Sequence, residues 1–532
     1  MILAVILISV VAAILGLTVV LELKRDLMML QQNSYRTGRY RRWLSESGDT
    51  TSWPRLAMIA IFMLSLSTLS HPYISAALMA LCGLTVSVRL LQARYKKPLV
   101  WTARARRIYA AALVIAAGAG TGLVFILSHT DALLTLSGVC TALTGCYCAS
   151  HIITMAAVTV LTPVESAINR RYYNDARRRL RSMPGLRVIG ITGSYGKTST
   201  KHYLHRILSE QFDTLMTPGS FNTTLGVIRT VREHLKPYNE VFICEMGAKN
   251  IGDVREICEL VRPSMGIITA VGPQHLESFG TIENVQRAKF ELADALPADG
   301  CAIVNDDFEY IADRPVDNTA CCRYGIRAVG AEWRAEDIRY TAHGTTFTVT
   351  GPEGRRLPLS TRLMGECNVS DLLAAVVCAI RLGVPDAKIA AAVASIEPVE
   401  HRLSVKAVPG GLTILDDAFN SNPVGSRMAL EVLGTFTGGK RIVITPGMIE
   451  LGSQQEELNR EFGRYIAANA DVAIVVGRYN RQAITEGIAE GGMDPKAVHT
   501  VDTFNQAQEI LRSIAAAGDT VLYENDLPDT FK

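Results

Sequence analysis

The stretch Gly190-Ile-Thr-Gly193-Ser194-Tyr-Gly196-Lys197-Thr198-Ser199 has the residue types that grip a polyphosphate. Glycines let the backbone wrap a phosphate and amide groups at a helix start point at it. Lys197 supplies positive charge, and the Thr198 hydroxyl can bind Mg²⁺. The strict P-loop pattern asks for glycine at 191, where isoleucine stands, so this loop is a variant. The bland rival is a glycine-rich turn with an incidental Lys-Thr. The apolar run before the loop and the helical pattern after it argue against that rival.

Further clusters follow in order: Thr217-Pro-Gly-Ser-Phe-Asn222-Thr223, Glu245-Met-Gly-Ala-Lys-Asn250, Gly272-Pro-Gln-His275-Leu-Glu-Ser-Phe-Gly280 and Ala288-Lys289-Phe-Glu291. Beyond them come Asn305-Asp-Asp307, Gly365-Glu-Cys-Asn368, His401-Arg402, Asp416-Asp417-Ala-Phe-Asn420-Ser-Asn422-Pro423 and Gly447-Met-Ile-Glu450-Leu-Gly452. From about residue 186 to the end, this ordered set resembles the Mur ligase superfamily. It is most similar to the MurF branch, which joins D-alanyl-D-alanine to a UDP-linked muramoyl tripeptide.

The resemblance implies roles. Gly193, Ser194, Gly196, Lys197, Thr198 and Ser199 would cradle ATP, Asn305 and Asn368 belong to adenine-pocket segments, Arg402 reaches the γ-phosphate and Asp417 the ribose. Thr198 and Glu245 would hold one Mg²⁺, and His275 with a carbamylated Lys289 a second. Asn222, Thr223, Asn420 and Asn422 would contact substrate, and Lys197, His275, Lys289 and Arg402 would carry catalysis. A carboxylate resists direct attack by an amine, so the implied route makes an acyl phosphate from ATP, and the protein's task is positioning and charge neutralisation. The implied partners are a cell-wall (peptidoglycan-type) precursor carboxylate and the amine of an amino acid or dipeptide.

Departures from the family are informative. Nothing corresponds to its amino-terminal uridine-nucleotide domain, and apolar helices stand there instead. The K-G-S-R-type segment after the last strand is replaced by Leu-Tyr-Glu-Asn-Asp-Leu-Pro-Asp-Thr-Phe at 522–531, an acidic run that puts the incoming dipeptide in doubt. Cys367 replaces a histidine and Phe419 a tyrosine. The expectation is a carboxylate presented at the membrane surface, on a lipid carrier.

The elements that must position these groups are legible in the texture of the chain. Residues 2–23, 56–70, 74–91, 109–128 and 133–162 are apolar runs, about five spans at the ~20 residues a bilayer needs. A cleaved signal peptide is disfavoured, because the start lacks a basic n-region and a cleavage site. Arg36, Arg39, Arg41 and Arg42 share one loop, and Arg94, Lys96, Lys97, Arg104, Arg106 and Arg107 another, while the turns near 71 and 129 carry no Lys or Arg. Positive-inside bias then places the amino terminus outside and everything beyond about Pro184 in the cytoplasm. The basic stretch from Arg170 to Arg179 suits either anionic headgroups or a solvated linker helix.

From Leu186 onward, short apolar β-type runs alternate with helical patterns, the signature of parallel α/β domains, with a small antiparallel insertion near 337–363. The domain organisation expected is a membrane domain over 1–165, a basic linker over 166–185, a P-loop central domain over 186–398 and a Rossmann-like carboxy-terminal domain over 399–532. With 54 Lys and Arg against 51 Asp and Glu, the charge balance gives no argument for nucleic acid. The 11 cysteines lack zinc-finger spacing and read as reduced, mostly core thiols. The competing readings are a ligase-like scaffold without catalysis and a membrane ATPase. The intact set Lys197, Thr198, Glu245, His275 and Lys289 opposes the first. The lack of ionisable residues well inside the spans opposes the second.

Overall fold

The computed structural model describes residues 2–67, 72–95, 97–127, 132–341, 344–408, 410–419 and 421–526. Asn420, the turns near 71 and 129, and the end of the acidic carboxy-terminal run lie outside the described residues. The chain divides into two compact units, one up to Asn169 and one from Arg170 to Asp526.

Four helices that begin in the first unit are long and apolar enough to cross a membrane: Val5–Gln32, Tyr73–Gln92, Ala103–Ile126 and Ser150–Arg181. The run 56–70 is helical over Trp53–Ser67, its last residues lying outside the described residues. One expectation needs correction. The single span expected over 133–162 is two helices, Ala132–Cys148 and Ser150–Arg181. The break has a cause: Arg55 donates to the Cys148 carbonyl (3.3 Å) and to the Ser150 hydroxyl (3.2 Å), inserting a side chain where the helical ladder would run.

Ionisable residues also lie deeper in the helices than the sequence suggested. Helix Ile2–Gln32 runs past residue 23 and buries Glu22 and Asp26. Those two acids and Asp49 offer ligand atoms within 4.8 Å of one another, an arrangement that could hold a metal. Arg55 already fills it, with Nη2 at 2.7 Å from Glu22, 3.6 Å from Asp26 and 3.8 Å from Asp49. Arg25 also pairs with Glu22, at 2.7 Å, and with Asp49, so two guanidiniums are the resident cations of this cluster.

The second unit holds two sheets. Strands β1 (Arg187–Thr192), β2 (Thr214–Met216), β3 (Val241–Glu245), β4 (Met265–Ile268), β5 (Cys301–Asn305), β6 (Ala320–Gly325), β7 (Trp333–Thr341), β8 (Gly344–Gly351) and β9 (Arg355–Thr361) form the first. Their order is β2-β3-β1-β4-β5-β6-β7-β8-β9. The first seven are parallel, and β7, β8 and β9 pair antiparallel as the expected insertion, continuing the sheet edge. Successive residues alternate faces: Ile189 and Ile191 pack on the helix Glu366–Arg381 side, while Val188 faces the helices that follow β2, β3 and β4. On that second side Ala176 is buried, with Tyr173 and Leu180 packed beside it. The basic helix thus spends its apolar stripe on protein, leaving Arg170, Arg171 and Arg178 exposed.

The second sheet comprises β10 (Ser404–Val408), β11 (Leu412–Asp417), β12 (Arg441–Thr445), β13 (Val472–Val476), β14 (Val498–Val501) and β15 (Thr520–Glu524). Its order is β10-β11-β15-β12-β13-β14, parallel except for β10 against β11. Functional residues sit beyond the carboxyl ends of the parallel strands in both sheets, where open α/β sheets bind ligands. All cysteines are free, as expected.

Candidate nucleotide and metal site

The loop from β1 to helix Lys197–Leu208 is built by two glycines in conformations that other residues resist. Gly193 has φ +152°, and a Cβ there would lie 2.1 Å from Thr269 Oγ1. Gly196 has φ +76°, and its Cβ would lie 2.1 Å from Asp371 Oδ1. Ser194 donates to the Gly272 carbonyl and accepts from the Gly272 amide, both at 3.1 Å, tying the loop to the segment after β4. The Lys197 ammonium folds back onto the Gly193 and Ser194 carbonyls. Burial pushes Lys197 down to about 8, against the pull of Glu245. Ser199 is buried one residue past Thr198.

Glu245, at the end of β3, is 1% exposed. Its Oε1 accepts from Thr198 Oγ1 (3.2 Å) and Asn222 Nδ2 (3.0 Å). Its Oε2 lies 2.9 Å from the ammonium of Lys201, itself fully buried and also donating to the Gly219 carbonyl at 2.7 Å. Burial alone would raise this carboxyl; the charges of Lys201 and Lys197 and the hydrogen bonds outweigh it and hold it below its ordinary value. Sequence reasoning missed Lys201. The signal was present, because Lys201 follows Lys197 by one helical turn and so shares its face.

His275 takes a left-handed backbone, φ +53°. Its Nδ1 faces a carboxylate oxygen of Glu450, which comes from the loop after β12 and is also left-handed, φ +62°. Lys249 pairs with the same carboxylate at 3.1 Å, and the Glu277 amide donates to the Glu450 carbonyl at 3.4 Å. Burial lowers the His275 pKa, which Glu450 only partly offsets. Lys289, on helix Ile282–Asp294, is 1% exposed, and among the described residues no hydrogen bond or ion pair reaches its amine; the Phe279 ring lies 5.9 Å away. Burial, reinforced by the charge of Lys197, drives its pKa well below the usual lysine value.

Other expected residues serve the architecture. Asn305 donates to the Thr269 carbonyl (2.9 Å) and Ser370 (3.1 Å). Asn368 accepts from Tyr203 (2.6 Å) and donates to the Met364 carbonyl (2.7 Å). Both amides are spent inside the protein. Thr223 and Asn422 cap helices, accepting from the amides of Gly226 (3.3 Å) and Gly425 (2.8 Å). Arg402 stacks on Phe419 at 4.3 Å, and its charge bears on Lys197 and Asp371. Asp417 accepts from the Leu403 amide (3.1 Å), and burial raises it to about 6 beside Glu524. Glu524, at the start of the acidic run, is fully buried and accepts from Ser421 at 2.6 Å.

A glycine-rich loop at a helix start on one α/β sheet, with Arg402 and Glu450 coming from the part that carries a second α/β sheet, has the build of a two-domain nucleotide-using enzyme. Comparison with known proteins narrows this. Residues 191–379 match the Mur ligase middle domain, and 401–523 match the Mur ligase glutamate ligase domain. The UDP-N-acetylmuramoyl-tripeptide–D-alanyl-D-alanine ligase of Escherichia coli (strain K12) is 31% identical over 335 residues, 62% of this chain and 74% of that protein. The Bacillus subtilis (strain 168) ligase of the same name is 28% identical over 348 residues, 64% of this chain and 73% of that one. A crystal structure of MurF from Acinetobacter baumannii superposes with TM-score 0.61 at 25% identity, over 67% of this chain and 77% of that chain. The Thermotoga maritima MurF ligase in complex with ADP shares the fold, with TM-score 0.60 at 23% identity over 67% and 80% of the two chains. The chain belongs to the Mur ligase family of ATP-dependent ligases.

Proposed function

We propose that this chain is a membrane-anchored ligase that joins an amine to the carboxylate of a cell-wall precursor at the cytoplasmic face. The observation that supports it best is the convergence of Thr198, Glu245 and Asn222 beside the glycine cradle. The precursor carboxylate attacks the γ-phosphorus of ATP, releasing ADP and forming an acyl phosphate. The amine then attacks that carbonyl, expels phosphate and loses a proton.

Lys197 and Arg402 neutralise charge on the transferring group. Thr198 and Glu245 have the hard oxygen donors that suit Mg²⁺, and an ion held there would neutralise and template the terminal phosphates. Lys289 fits a carbamate: a buried amine without a partner resists protonation. Its lone pair can form an N–C bond to CO₂, releasing a proton and leaving an anionic oxygen donor. With His275, that group would hold a second Mg²⁺. Asn222 orients Glu245, Thr223 caps the helix after it, and Asp417 is assigned to the ribose. Asn305 and Asn368 brace the adenine-pocket segments. Asn420 and Asn422 are assigned to the substrate loop. The domain limits proposed are 1–165, 166–185, 186–398 and 399–532.

The relatives' name supplies a candidate pair, a UDP-N-acetylmuramoyl tripeptide and D-alanyl-D-alanine. The apolar helices that precede the matched region favour a lipid-linked carboxylate. The test is to incubate the full-length, membrane-embedded chain with ATP, Mg²⁺, D-alanyl-D-alanine and either UDP-linked or lipid-linked tripeptide, and to weigh the product as phosphate appears. An amide product is expected, faster on the lipid-linked substrate. Phosphate release without any acceptor would replace the ligase by an ATPase. A cytosolic fragment as fast on the UDP-peptide as the full chain on the lipid-linked one would remove the membrane-surface reading.

A further inference from the structure

Glu450 has no role in the scheme above, yet its geometry is specific. It reaches from the loop after β12 to the end of the segment following β4 and meets His275 Nδ1 there. Two residues with positive φ, His275 at +53° and Glu450 at +62°, face each other across this contact. Left-handed backbone is unfavourable for both side-chain types, so the surrounding chain must hold both of them there. The carboxylate is further fixed by Lys249 at 3.1 Å, and the Glu450 carbonyl by the Glu277 amide at 3.4 Å. Both side chains of the pair are largely enclosed, at 19% and 17% exposure.

A carboxylate oxygen only accepts hydrogen bonds, so the nitrogen facing it must carry the proton. Nδ1 of His275 is then the donor, and Nε2 keeps the lone pair. This is the arrangement by which a carboxylate fixes the tautomer and ring orientation of a metal-binding histidine and raises its basicity. We infer that Glu450 is the positioning residue for His275, carried in by the carboxy-terminal domain, so that the second metal site is complete only when that domain is docked. The inference rests on the proposal that His275 and Lys289 hold a second divalent ion.

Mn²⁺ binding to the full-length chain in lipid nanodiscs, with a non-hydrolysable ATP analogue present, gives a readout independent of turnover. Electron paramagnetic resonance should count two Mn²⁺ ions in the wild type. Glu450→Ala should weaken one of them about 10- to 100-fold and leave the other unchanged. Glu450→Gln should stay within about threefold of wild type, since its amide oxygen still accepts from Nδ1–H. Melting curves of both variants verify folding. Two Mn²⁺ ions of unchanged affinity in Glu450→Ala would overturn the inference and leave the two-metal reading standing. A loss in Glu450→Gln as large as in Glu450→Ala would also overturn it, because charge or direct ligation would then be at work. A wild type binding one Mn²⁺ would remove the two-metal reading itself, and this inference with it.

Discussion

Asp371 lies behind the glycine-rich loop, where its carboxyl blocks any side chain at Gly196 and accepts from Thr200 at 3.2 Å. Burial raises it to about 8, more than the nearby hydrogen bonds, Arg402 and Lys197 can offset. A buried acid whose folded pKa exceeds its unfolded value contributes stability that is complete at low pH and is lost as pH rises toward the folded pKa. From about pH 5.5 to about pH 7.5, inside that window, the wild type loses an amount on the order of 3 kcal/mol through this one group. For a unit of this size that is on the order of 5 °C in melting midpoint. Asp371→Asn keeps the shape and removes the ionisation. Differential scanning fluorimetry of the two full-length proteins, without nucleotide, should show the variant gaining about 5 °C on the wild type across that range. Parallel pH curves, or a variant that falls further behind as pH rises, would refute the reasoning.

Lys289→Ala should lower turnover by at least about 100-fold while ATP binding and melting stay close to wild type; unchanged turnover would remove the carbamate assignment. Lys201→Met leaves the buried Glu245 carboxylate without its counter-ion and should cost about 3–5 kcal/mol in denaturant unfolding, much of it restored by adding Glu245→Gln. A single variant as stable as wild type would mean that the pair contributes nothing. Arg55→Ala removes one of the two guanidiniums that pair with Glu22, Asp26 and Asp49, leaving Arg25 on Glu22 and Asp49 but, among the described residues, no ion pair on buried Asp26. It should destabilise the detergent-extracted chain by an amount on the order of 3–5 kcal/mol, read as a lower melting midpoint. Addition of Asp26→Asn should recover part of that loss.

Much of the fold was legible because periodicity and glycine placement are local. β1 and β3 fall where the apolar runs predict them, at Arg187–Thr192 and Val241–Glu245, and the cradle follows from Gly193, Gly196 and Lys197. What local patterns do not give depends on partners distant in sequence. The break at residue 149 is set by Arg55, more than 90 residues away, and no local pattern announces it. Lys201 was passed over because its partner, Glu245, comes from β3. Asn368 and Asn422 carry motif positions, and their hydrogen bonds to Tyr203 and to a helix start are contacts visible only in three dimensions. The Glu450 contact with His275 spans 175 residues and needs two left-handed residues, which neither residue type advertises.

The central claim is that a carboxylate becomes an acyl phosphate before the amide forms, and oxygen transfer tests it directly. The full-length chain would be given ATP, Mg²⁺, D-alanyl-D-alanine and precursor whose terminal carboxylate carries ¹⁸O in both oxygens, with the released phosphate analysed by mass. The account predicts one labelled oxygen in phosphate for each amide made. Amide formed alongside unlabelled phosphate would contradict it.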